Sequence, residues 1–455
     1  MEESRKILIA GAGLVGSLLA IALKKRGHEV WLFEKRSDMR KETHLAGKSI
    51  NLIITAKGIK PLRTLGLWEK VEAITSPVMG RMIHSKAGED SYQPYGKDKT
   101  EFNNSVSRAE LNRLLMTEAE KVGVKILFNS PLKSLDLKNK VASFENAEPM
   151  KYDLLFGADG TGSATRQALI EALGDKANYK VEPLGTDYKE MTLPAKNGTY
   201  AMDEHSLHIW PRGNHMLMGL PNKDGTFTMT LYMPQGWFEE FKSPVAFENY
   251  FKTNYPDAAA LMPDHVSEYA SHPQGFLGIV RMKPWIYEDQ VALVGDAAHA
   301  MVPFFGQGMN SGFSDIQYLL DEMDKHSGDY STIFKNYNEV QKLSGDAIAD
   351  MSRENFAEMC EKVGDEKFQL RKKVEHKIES AFPDKFRSRY GLVTYTLVPY
   401  HLAKEIGAIQ DELLDELCED ILSIDQLDLN KAKKLIDDKI GPWFSANKLT
   451  IERFK

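Results

Sequence analysis

A strand, a glycine-rich turn and a helix follow one another at the start of this chain, and their order narrows the fold more than any other feature. Lys6 to Ala10 (KILIA) is a short apolar run, and Gly11-Ala12-Gly13-Leu14-Val15-Gly16 then opens a helical pattern that continues to about Arg26. Gly11 permits a tight turn, Gly13 lets an anionic group approach the backbone, and Gly16 allows the helix to pack closely on the strand. The amino terminus of that helix offers N–H groups with no acceptor inside the helix. A second apolar run, Glu29 to Phe33 (EVWLF), ends at Glu34, 18 residues beyond Gly16. A βαβ unit places there the acid that hydrogen-bonds a ribose. Strand, helix, strand and acid in this order predict a dinucleotide-binding half.

Two later segments repeat the pattern of an apolar strand breaking into glycine and aspartate. Gln290 to Val294 (QVALV) runs into GDAAHAMVPFFGQGMNSG, residues 295–312. Asp296 then sits at a strand's carboxyl end, Gly306 and Gly308 let backbone approach a flat ligand, and Met309 to Leu320 continue as a helix whose first amides face electron-rich oxygens. The third segment, Tyr152 to Gly162 (YDLLFGADGTG), breaks at Asp159-Gly160, a pair that alone reads equally as an ordinary turn. Strand ends near residues 11, 159 and 295 converge only if one sheet gathers sequence-distant strands along a single carboxyl edge, the usual ligand edge of an open α/β sheet.

Together these segments resemble the FAD-dependent aromatic hydroxylases, the single-component flavin monooxygenases of the para-hydroxybenzoate hydroxylase type. The resemblance implies that Gly11, Gly13, Gly16 and Glu34 hold the adenosine half of FAD and that Asp159 and Gly160 serve both FAD and NADPH. It places Asp296 on the ribityl chain, Gly308, Met309 and Asn310 at the flavin, and Arg108, in the SRAEL segment, near the diphosphate and ribityl region.

Longer segments are similar to the kynurenine 3-monooxygenase branch of that family, over residues 5 to about 405. They are GKSINL (47–52), GRMIH (80–84), LHIWPRG (207–213), LPNKDG (220–225), VPFFGQGMN (302–310) and MSRENF (351–356). Lys48 departs from the arginine usual at its position. This branch implies NADPH- and O2-dependent hydroxylation of L-kynurenine to 3-hydroxy-L-kynurenine through a flavin 4a-hydroperoxide, a step of tryptophan degradation. It also implies Arg81 and Tyr95 on the substrate carboxylate, Asn355 and Tyr390 completing the polar end, and Pro303 and Phe304 against the ring, with the strand Thr226 to Met233 beside them. Met359, one helical turn beyond Asn355, faces the same way. A guanidinium suits such a carboxylate because it donates two parallel hydrogen bonds. Without the resemblance, Arg81 reads as a surface arginine.

No catalytic acid or base is assigned, since the aniline nitrogen of the substrate itself feeds electron density to the attacked carbon. His299 is the tempting base, but histidines in such turns more often make structural hydrogen bonds. Two other functions stay open: hydroxylation of another anthranilate-like or phenolic acid, and a flavoprotein-like binding protein without turnover.

Length and charge fit this reading. A chain of 455 residues accommodates an α/β (α+β) architecture. The expected parts are a discontinuous Rossmann-like FAD domain (1–75, 100–180, 277–325), an interleaved mixed-sheet substrate domain (76–99, 181–276) and a helical region (326–455) closing the substrate pocket. A net charge of -7 argues against nucleic acid or an anionic membrane as partner. Cys360 and Cys418 have no metal-like spacing, so no metal is expected and a reducing cytoplasm is the natural setting. No targeting signal is read at the amino terminus, no apolar run nears the roughly 20 residues of a membrane span, and the polar end from Trp443 to Lys455 reads as soluble.

Overall fold

The apolar runs that flank the glycine turns become the central strands of one sheet. In the computed structural model, which describes residues 3–41, 51–362 and 365–447, its strands lie in the order Ile286–Tyr287, Val291–Leu293, Leu154–Gly157, Lys6–Ala10, Glu29–Phe33, Lys125–Leu127. All neighbours are parallel except the Ile286–Tyr287 edge. Such strands are covered on both faces, which is why they read as unbroken apolar runs and do not alternate. Ile7, Leu8 and Ile9 are all fully buried, and each such side chain contributes about 1.5–3 kcal/mol. The GKSINL segment falls largely in 42–50, outside the described residues, and Lys48 with it.

The chain forms two compact units. The first comprises Met1–Thr75, Val106–Leu184 and Gly278–Ala349, and the second Ser76–Ser105, Gly185–Leu277 and Asp350–Lys455. In the first, the helix Leu14–Lys25 and the helix Gly308–His326 contribute Leu18, Leu19, Phe313 and Ile316 to a core shared with the parallel strands.

The second unit is built on a sheet in which residues 185–193 and the strands Phe227–Pro234, Met216–Pro221, Ser206–Pro211, Gly80–His84 and Asp90–Pro94 are neighbours in that order. Ser206–Pro211 and Gly80–His84 run parallel, whereas Gly80–His84 and Asp90–Pro94 form an antiparallel hairpin. Trp210, Phe227, Phe247 and Tyr255 anchor its core. From Asp350 onward this unit is helical, including Glu366–Ala381, Arg389–Tyr395 and Tyr400–Cys418.

Close approach decides where glycine is required. Gly11 has φ +101°, and a Cβ there would lie 2.4 Å from the carbonyl oxygen of Ala158. At Gly16 a Cβ would lie 1.9 Å from the Gly11 carbonyl oxygen, a backbone atom that has no freedom to move aside. Gly16→Ala is therefore expected to reduce folding stability by roughly 1–3 kcal/mol, measured by urea denaturation. A variant as stable as the parent would contradict this account of the turn.

Candidate active site

In the first unit the carboxyl ends of the strands are flush: Ala10 pairs with Gly157 and with Phe33, and Gly157 pairs with Leu293. Backbone bonds carry the lacing past the strand ends, from Gly11 N–H to Phe33 O (2.7 Å), Ala158 N–H to Ala10 O (2.8 Å) and Val294 N–H to Gly157 O (2.9 Å). Gly11, Asp159 and Asp296 thus come onto one edge, as the sequence predicts. Glu34 is held there by the Ala12 N–H on Oε2 (3.0 Å) and the Arg36 N–H on Oε1 (2.9 Å). Each of its oxygens keeps a lone pair for a further donor.

Two helices of this edge start without a side-chain cap, at Gly13 and at Gln307. The first-turn amides of Leu14–Lys25 and Gly308–His326 have no intrahelical acceptor and carry the positive end of each helix dipole. A Cβ at Gly13, Gly160 or Gly308 would meet no described atom within 4 Å. At Gly160 the backbone itself, at φ +80°, calls for glycine; at Gly13 and Gly308 the space beside the Cα is open to the close approach of a ligand. One helix start suits a diphosphate, the other an electron-rich carbonyl edge, and Glu34 suits a ribose. This donor set fits FAD.

Other expected cofactor residues spend their side chains on the scaffold. The Asp159 carboxylate accepts from the Ser163 hydroxyl and from Thr165 N–H (3.0 Å) and Oγ1 (3.1 Å), shaping the turn into the helix Ala164–Leu173. Asn310 is fully buried; its Oδ1 accepts from Thr55 N–H (2.9 Å) and its Nδ2 donates to Ile53 O (2.7 Å) and Gly306 O (2.9 Å). Met309 is half-buried beside it. Arg108 is exposed at the first position of the helix Arg108–Lys121, Pro303 is exposed and Phe304 buried.

In the second unit Arg81, Tyr95, Tyr390, Asn355 and Met359 are placed as follows. The Arg81 guanidinium lies 5.3 Å from the Tyr95 ring centre and 5.6 Å from that of Tyr390, and the two rings stack at 5.3 Å. Its Nε is buried with no hydrogen-bond partner among the described residues. Burial opposes the charge, but Tyr95, Tyr390 and Glu358 outweigh it and hold Arg81 above its usual range. Burial pushes the Tyr95 phenol up, against the pull of Arg81, so it remains a neutral donor. Asn355 and Met359 meet across one helical turn, Nδ2 to Sδ at 3.6 Å.

Residues 4–329 match the model of the FAD binding domain family. A kynurenine 3-monooxygenase of Myxococcus xanthus is 43% identical, covering 97% of each chain, and one of Flavobacterium psychrophilum is 39% identical over 97% of this chain and 98% of that one. The chain belongs to the kynurenine 3-monooxygenase family. Its cofactor is FAD. A further family member, of Dictyostelium discoideum, is 37% identical over 95% of this chain and 98% of that one. The fold is shared with 2-methyl-3-hydroxypyridine-5-carboxylic acid oxygenase, at a TM-score of 0.66 and 21% identity over 80% of this chain and 94% of that one. Among the described residues no helix is long and apolar enough to cross a membrane, and no cluster of ligating side chains is placed to hold a metal.

Several residues of these sites have no signal in the sequence. Asn103 donates to the Tyr390 hydroxyl (2.9 Å) across 287 positions, and Arg387 bridges Glu101 (2.8 Å) and Glu379 (3.2 Å). Lys57, near the cap of the helix Ala56–Thr64, is buried, which pushes its amine down to about 7. Asp315 accepts from Gly295 N–H (2.9 Å) and meets His299 Nε2 (2.7 Å), both side chains being almost wholly buried. His299 is thereby committed to the scaffold.

Burial opposes the His299 imidazolium, but Asp315, with Asp296 beyond it, raises its pKa above the usual value. A raised pKa contributes stability that is complete below the unfolded value of about 6.5 and is lost as pH rises through the folded value. Asp315→Asn is expected to cost on the order of 3–5 kcal/mol at about pH 6, with the deficit narrowing as pH rises. Urea denaturation across pH checks this; a deficit that widened with pH would contradict it.

Proposed function

We propose that this protein hydroxylates L-kynurenine at carbon 3 of the ring, consuming NADPH and O2 and releasing 3-hydroxy-L-kynurenine and water, in the degradation of tryptophan. The observation that carries the reading is the Arg81 guanidinium beside the stacked rings of Tyr95 and Tyr390, with a buried Nε that has no hydrogen-bond partner among the described residues. A carboxylate completes such a group with charge-assisted bonds. The aromatic walls restrict its rotation, so the anchor also fixes orientation.

FAD, when bound, supplies the redox and oxygen-activating chemistry. Gly11, Gly13, Gly16 and Glu34 hold its adenosine half, Asp159 and Gly160 shape the turn beside it, Asp296 and Arg108 serve the ribityl and diphosphate region, and Gly308, Met309 and Asn310 approach the flavin through their backbone. Tyr95 and Tyr390 donate with Arg81 to the substrate carboxylate, Asn355 completes the polar end, and Pro303, Phe304 and Met359 supply apolar surface for the ring. No side chain is needed as a base, because the substrate's own amine activates the neighbouring carbon. Cys360 and Cys418 are not joined in a disulfide, which suits a cytoplasmic setting.

Product analysis with L-kynurenine, anthranilate and 4-hydroxybenzoate tests the substrate: 3-hydroxykynurenine is expected, and hydroxylation of either acid in place of L-kynurenine would refute the assignment. Arg81→Ala should weaken L-kynurenine binding by about 2–5 kcal/mol while FAD is retained. Unchanged affinity would remove Arg81 from the site.

A further inference from the structure

The strand that carries Arg81 is fastened from behind. Along Gly80–His84 the side chains alternate, so Arg81 and Ile83 share one face while Met82 and His84 share the other. Arg81 pairs across the hairpin with Gln93, which puts Gln93, and Tyr95 two residues on, with Arg81. On the reverse face, His208 stands beside Met82 in the parallel neighbour, and His84 reaches it.

These histidines form a chain between two acceptors. His208 Nε2 meets the Asp203 carbonyl oxygen (2.8 Å), His208 Nδ1 meets His84 Nε2 (2.9 Å), and His84 Nδ1 meets Asp90 Oδ1 (2.9 Å). A carbonyl and a carboxylate only accept, so both outer nitrogens carry hydrogens, and the middle contact needs one more. Three hydrogens on four nitrogens is one proton more than two neutral rings hold. Burial pushes His208 down to about 4, its bond to the Asp203 carbonyl opposes this, and the His84 charge adds to the fall. The pair as a whole therefore carries one positive charge.

The surroundings accommodate that charge. His84 stacks on Trp210 (ring centres 4.1 Å apart), whose indole N–H donates to Asp257 (2.6 Å), and Asp257 lies 3.9 Å from His84 Nδ1. Arg212 donates to the His84 carbonyl oxygen (3.0 Å), and the Asp203 carboxylate accepts from the Ser206 hydroxyl. The charged groups facing the chain are thus Asp90, Asp257, Asp203 and Arg212.

We propose that the Asp90–His84–His208–Asp203 relay is a positioning device whose single extra proton clamps the back of the hairpin and fixes where Arg81 and Tyr95 meet the substrate carboxylate. The inference rests on the reading of Arg81 as the substrate anchor. A protonated relay holds the hairpin at low pH, and its loss as pH rises breaks one of the three contacts.

Calorimetric titration of L-kynurenine into the FAD-loaded protein between about pH 5 and 8 tests this. The parent should lose roughly tenfold in affinity across that range, the loss of one charged hydrogen bond. In Asp90→Asn the carboxamide N–H donates to His84 Nδ1, so two neutral rings suffice; affinity should stay near the parent's low-pH value at every pH. Asp90→Ala should bind roughly tenfold more weakly than the parent at low pH, with unchanged FAD content. An Asp90→Asn variant as pH-dependent as the parent, or an Asp90→Ala variant that binds as tightly, overturns the relay. Arg81→Ala run alongside separates the two readings: if it binds normally, the anchor itself fails, whereas if it binds weakly while both Asp90 variants match the parent, only the relay fails.

Discussion

The constraint on which the cofactor unit depends is how closely backbone can approach backbone where the strands end. Gly11 and Gly16 leave no room for a Cβ, and Gly312 would place one 2.6 Å from Val15 Cγ2 and 3.2 Å from Gly295 Cα. These contacts press the helices Leu14–Lys25 and Gly308–His326 against the sheet edge. Their uncapped amino termini are then fixed in space, and the cost of leaving first-turn amides unpaired is offset when a ligand with oxygen acceptors binds. Steric fit here precedes electrostatics, because the dipoles act only where the packing points them.

The opposite balance holds around Arg81. A guanidinium among aromatic rings loses hydration, and the site tolerates it because Tyr95, Tyr390 and Glu358 return favourable interaction. The tyrosines are themselves held: Asn103 donates to Tyr390, and Arg387 lies 5.7 Å from the ring centre of Tyr395, which packs edge-on to Tyr390. A substrate carboxylate would therefore meet a surface whose rotamers are already chosen, so less ordering entropy is lost on binding.

How much of this was legible in the sequence depended on the distance between partners. The strands Lys6–Ala10 and Glu29–Phe33 matched their apolar runs residue for residue, and Val291–Leu293 lay inside its own, because parallel strands buried on both faces announce themselves without alternation. The strand read at Thr226 to Met233 runs from Phe227 to Pro234, a one-residue slip at its ends. The grouping of Arg81 with Tyr95 and Tyr390 was legible only through family resemblance, since nothing in residues 81, 95 and 390 alone joins them. Hydrogen-bond partners such as Asp315 for His299, or His208 for His84, were out of reach: the pairing is made by sheet register and helix packing, which local pattern does not encode. The same applies to Asp159 and Asn310, for which family resemblance implied cofactor contacts and whose side-chain partners within the protein, Thr165 and Ile53, no local pattern announced.

The chemistry assigned to this chain requires one aromatic amino acid to be held by its carboxylate while its ring is presented for oxygenation. A crystal structure of the FAD-loaded protein with L-kynurenine tests that claim most directly. The substrate carboxylate is expected within hydrogen-bonding distance of the Arg81 guanidinium and the Tyr95 hydroxyl. L-Kynurenine bound with its carboxylate on any other cation, leaving the Arg81 guanidinium without contact to it, would contradict the account.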